Sequence, residues 1–68
     1  MIIRRKSAIS GKVHERIIPA NPEDLLRWEN GEDNIQALMP YLTAEDREFI
    51  LTGITPEEWS AVFAEAED

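Results

Sequence analysis

Three short stretches of this chain start alike, and together they fix where most of its helices begin. Asn21-Pro22-Glu23-Asp24, Thr43-Ala44-Glu45-Asp46 and Thr55-Pro56-Glu57-Glu58 each open with a side-chain acceptor. Proline or alanine follows, then two acids. The acceptor satisfies a backbone N–H that the first helical turn leaves unpaired. Proline loses nothing at the first helical position, and the acids meet the positive end of the helix dipole. Thr55 and Glu58 also have the spacing of a reciprocal capping box. Each cap is worth about 1 kcal/mol, a large share of the stability of a 68-residue domain. The stops agree with the starts. Asn30-Gly31 ends the first helix and Gly53 the third, while Asn34 opens a short segment, Ile35–Met39, that Pro40 closes.

Ahead of the first cap the grammar changes. Ile2, Ile3, Ile9, Val13, Ile17 and Ile18 are β-branched, and Ser10-Gly11 interrupts them once with a residue that tolerates positive φ. This predicts a hairpin with strands at Ile2–Ile9 and Lys12–Ile18. Ile2-Ile3 and Ile17-Ile18 place apolar groups on both faces, so one face packs and the other is partly covered. The expected fold is α+β: an N-terminal β-hairpin followed by three to four short α-helices around one small core. Within that single domain, residues 1–20 are the hairpin and residues 21–68 the helical part.

Apolar side chains supply the expected core. Leu25, Leu26 and Trp28 come from the first helix, and Phe49, Ile50 and Leu51 from the third, with Leu42 beside its cap. In the last helix Trp59, Val62, Phe63 and Ala66 recur at helical spacing. Trp59 is therefore expected inside, and Trp28 leans the same way, because so small a domain needs its aromatics.

Charge divides at the same boundary. Residues 1–20 carry Arg4, Arg5, Lys6, Lys12 and Arg16 against Glu15 alone, whereas residues 21–68 carry thirteen acids against Arg27 and Arg47. Two readings compete for the basic ribbon. Two-stranded ribbons can enter the major groove of DNA, with arginines reading guanine and lysines meeting phosphate. Against this stands the net charge of −7, which argues for internal pairing or contact with another subunit. A lone ribbon is marginal in water, so homodimerisation through the hairpin is a further expectation. The acids Glu45, Asp46, Glu48, Glu57, Glu58 and Glu65, with Glu67 and Asp68, would form one patch if the last two helices lie side by side. Such a patch steers association with a basic partner protein.

Catalytic and metal chemistry find little footing. The one histidine, His14, lies on a strand where alternation sends it to the face opposite Glu15, so the two do not form an acid–base pair. Glu29-Asn30-Gly31-Glu32-Asp33-Asn34 is rich in oxygen ligands, but Ala37 stands where a calcium loop needs its bidentate glutamate. No cysteine is present. The expectation is a non-enzymatic protein with no cofactor or metal. No apolar run is long enough to span a membrane, and the basic start lacks a hydrophobic run after it, as a signal peptide would require.

Ile35-Gln36-Ala37-Leu38-Met39-Pro40-Tyr41-Leu42-Thr43, Arg47-Glu48-Phe49-Ile50 and Thr52-Gly53-Ile54-Thr55-Pro56-Glu57-Glu58-Trp59 resemble a family of short proteins encoded by bacteriophages and prophages. Ser10-Gly11-Lys12-Val13-His14 extends the similarity into the hairpin. The family brings no assigned activity and no catalytic residues. What the resemblance implies is setting: an accessory protein of a mobile element in the cytoplasm of a bacterial cell.

Overall fold

The structure is a computed structural model that describes the backbone of residues 1–66 and the side chains of residues 1–64. Strands β1 (Ile2–Lys6) and β2 (Val13–Ile17) pair antiparallel, with Ile3 opposite Arg16 and Arg5 opposite His14. Four helices follow: α1 (Pro22–Glu29), α2 (Ile35–Leu38), α3 (Ala44–Thr52) and α4 (Pro56–Ala66). The α+β architecture is therefore present, hairpin first.

All the anticipated caps form. Asn21 Oδ1 accepts from the Glu23 amide at 2.8 Å, Asn34 Oδ1 from Ala37 at 2.7 Å, and Thr43 Oγ1 from Asp46 at 3.1 Å. The capping box closes in both directions: Thr55 Oγ1 accepts from the Glu58 amide at 3.1 Å, and the Thr55 amide donates to Glu58 Oε1 at 3.3 Å. Tyr41 reinforces the start of α1. Its hydroxyl accepts from the Asn21 amide at 2.9 Å and donates to Asp24 at 3.0 Å. At the end of α3, Gly53 takes φ 73° and donates to the Phe49 carbonyl.

The hairpin is shorter than its β-branched residues suggest. Ser7, not Ser10-Gly11, ends the pairing, because its buried hydroxyl accepts from the Ile9 and Ser10 amides and curls the chain into a wider loop. Gly11 supplies the positive φ, 74°, that returns the chain to β2. Ile9 consequently sits on that loop, exposed, and outside either strand.

The core joins Ile3 and Ile18 of the hairpin region to Leu25, Ile35, Met39, Leu42, Phe49 and Ile50, with Ala20 between them. Trp28 and Leu38 pack on its margin. Phe49, Ile18 and Met39 are fully buried. Three expectations fail here. Leu26 and Leu51 are exposed, because each lies on a helix face turned from the core. The outer sheet face is not partly covered: Ile2 and Ile17, opposite one another, are 65% and 82% exposed. Finally, the apolar stripe of α4 does not enter the core. Val62 and Phe63 are exposed and Trp59 is only half-buried, since the space under the hairpin is already filled from α1, α2 and α3. The body is long, 42 × 20 × 19 Å, with a radius of gyration of 13.0 Å. A rounded domain of this length would have a radius of about 11 Å.

Candidate functional site

The basic residues of the hairpin fall on two faces. Ladder alternation points Arg4 and Lys6 outward and Arg5 and Arg16 inward, toward the helices. Arg5 Nε donates to the Ile50 carbonyl at 3.3 Å while its Nη2 lies 3.6 Å from Glu29. Arg16 Nη2 is 3.6 Å from Asp46, and the guanidinium lies over the Phe49 ring at 5.7 Å. Arg4 pairs across the ribbon with Glu15 at 3.3 Å. These ion pairs are long or exposed, each worth about 1 kcal/mol or less. Their main consequence is placement, because the two inward arginines are directed at the chain's own helices and only partly open to solvent. Arg4, Lys6 and Lys12 stay at the surface. Three bases beside an acidic body make a poor footprint for a nucleic acid, which needs several phosphate contacts.

His14 also points inward, and Glu15 outward, as alternation requires. The imidazole finds a different carboxylate: its Nε2 lies 3.2 Å from Glu58 at the start of α4. Ser10 donates its hydroxyl to that same carboxylate. The Ser10 hydrogen bond, helped by His14, Ser7 and the Thr55 amide and opposed by desolvation, lowers the Glu58 pKa from 4.5 to about 2. A hydrolytic triad places the imidazole between hydroxyl and acid. In this cluster the carboxylate is in the middle, and a group held near 2 is too weak a base to activate serine. The cluster is a strut tying α4 to the hairpin loop.

The acids expected on one patch thus separate. Asp46 and Glu58 face the chain's own hairpin. Glu45 and Glu57 are exposed and Glu48 is half-exposed. The side chain of Glu65, like Glu67 and Asp68, lies outside the described residues. In the turn after α1, Glu29 and Glu32 pair with Arg5 and Arg27, and Asp33 accepts from the Asn34 amide. No trio of metal-ligating side chains gathers among the described residues.

What the structure does assemble is a groove between α3 and α4. Ala44, Ile54, Pro56, Trp59 and Phe63 line it, Glu45 and Glu48 rim it, and it encloses about 460 Å³. Trp59 and Phe63, one turn apart, stack with centroids 5.9 Å apart and planes 20° from parallel. Phe63 remains 61% exposed. The helical period marks these aromatics in the sequence, but their face borders the groove and not the core. No helix is long and apolar enough to cross a membrane among the described residues. No protein-family model, curated protein or solved structure matches this chain.

Proposed function

We propose that the chain is a non-enzymatic docking protein that takes a basic segment of another protein into the α3–α4 groove. One observation carries the reading: a stacked aromatic pair, exposed Phe63 on half-buried Trp59, shares a groove with the carboxylates of Glu45 and Glu48. Apolar anchors in a concave site supply affinity, and a charged rim supplies orientation and on-rate. The complementary ligand is an amphipathic helix with one or two large apolar side chains flanked by lysine or arginine. The overall charge of −7 attracts the same class of partner. The resemblance to phage and prophage proteins supports a setting in the bacterial cytoplasm, with a host or phage protein as the ligand.

The test is a cross-linking pull-down from bacterial lysate, run in parallel with wild type and with Phe63→Ser combined with Glu48→Lys. A basic partner recovered by wild type at low salt should be lost from the variant, and from wild type at high salt, where charge steering is screened. Equal recovery by both proteins sinks the groove reading.

A further inference from the structure

The hairpin has two edges, and they are not equivalent. Met1 and Ile18 exchange backbone hydrogen bonds at 2.7 and 2.9 Å, and the Ser7 amide donates to Lys12 at 2.8 Å. Counting by twos between these ends, Ile3, Arg5, His14 and Arg16 bond across the ribbon. Ile2, Arg4 and Lys6, and Val13, Glu15 and Ile17, turn their N–H and C=O groups away from it. On β1 that outer edge is obstructed by the end of α3. Gly53 sits so close to Lys6 that a Cβ there would lie 2.6 Å from its carbonyl carbon, and the Ala8 amide donates to Thr52. On β2 the edge is open, and no hydrogen bond reaches the Val13, Glu15 or Ile17 backbone among the described residues.

We propose that β2 is a homodimerisation edge, where two copies pair antiparallel about a two-fold axis through Glu15 to make a four-stranded sheet, β1-β2-β2′-β1′. The sequence of β2 suits itself in this register. Val13 falls opposite Ile17 of the second copy, twice, so two exposed apolar side chains of each copy gain β-branched neighbours. The central row across the outer face becomes Arg4, Glu15, Glu15, Arg4. The two glutamates meet at the axis, but each is already paired with its own Arg4 at 3.3 Å, and the row is neutral. The three outward residues of each strand supply about six backbone hydrogen bonds. The contacts of β2 with α3 and α4 run from its inner face, through Arg16 and His14, and leave the outward edge of the strand to the second body. Another protein's strand would satisfy the same backbone groups, but it would not be required to match this self-complementary row. The inference stands apart from the groove reading, since the residues involved are on another face.

Sedimentation equilibrium on the full chain over a wide concentration range, with amide hydrogen exchange by NMR, tests the proposal. A monomer–dimer equilibrium is expected. The Val13, Glu15 and Ile17 amides should exchange fast in dilute samples and slowly in concentrated ones, while His14 and Arg16 stay protected throughout. Glu15→Arg should raise the dimer dissociation constant about tenfold by filling the row with like charge. Adding Arg4→Glu should restore it. Glu15 and Arg4 are exposed, so the fold is retained, and circular dichroism verifies this. A monomer at every concentration overturns the proposal. So does a dimer whose three outward amides stay unprotected, or one abolished by Phe63→Ser instead of Glu15→Arg.

Discussion

Helices α3 and α4 follow one another in the chain, begin with related caps and end in different surroundings. α3 has the weaker apolar periodicity, yet Phe49 and Ile50 are buried beneath the hairpin. α4 has the cleaner stripe, yet Val62 and Phe63 remain in solvent. An apolar face records that something covers a helix and not what covers it. In α3 the cover is Ile3, Ile18 and the rest of the core. For α4, among the described residues, the chain supplies an anchor at the first turn, through Thr55, Glu58, Ser10 and His14, and half-covers Trp59.

That contrast can be broken in graded steps. Phe49→Ala should cost about 3–5 kcal/mol, enough to unfold most of so small a domain, as followed by urea denaturation monitored by circular dichroism. Should it prove mild, the difference between the two helices would vanish. Gly53→Ala comes next, because φ 73° and the Lys6 carbonyl both oppose a Cβ. A loss of about 1–3 kcal/mol is expected from the backbone strain alone, read as a lower urea midpoint. Thr43→Ala, which removes the cap of α3, should cost about 1 kcal/mol in the same assay.

The anchor of α4 has a pH signature of definite sign. Because the Glu58 pKa is lowered in the folded chain, its contribution is complete above the unfolded value of 4.5 and disappears as pH falls toward about 2. Thermal melts through that window should show a decline in wild type that Glu58→Gln flattens, and parallel profiles would refute the strut. The smallest effect belongs to Phe63→Ala. Truncating this exposed side chain should change stability by within about 0.5 kcal/mol, in contrast to Phe49, while weakening partner capture.

Much of the secondary structure was legible because caps are local. Asn21, Asn34, Thr43 and Thr55 each reach an amide two or three residues away, so a short window holds the whole interaction. The hairpin loop was less legible. Ser10-Gly11 looked like the turn, but Ser7 is buried under distant residues and captures the Ile9 and Ser10 amides first. For the candidate site, Trp59 and Phe63 were visible as a stripe and Glu45 and Glu48 as members of an acidic set. Asp46 and Glu58 belonged to that same set in sequence and yet face the hairpin. Nothing within α3 or α4 distinguishes them, because their partners Arg16 and His14 lie in β2.

By itself the sequence determined where helices start and stop, that a β-branched ribbon precedes them, and that bases and acids segregate between the two. These follow from interactions spanning a few residues, which no later packing needs to supply. Only the tertiary structure decided which charges neutralise each other, which strand edge stays open, and that the best apolar stripe in the chain lies outside the core. Those outcomes depend on how a limited buried volume is shared among distant segments, and residues of the hairpin region, α1, α2, α3 and their connections fill the core without the stripe of α4.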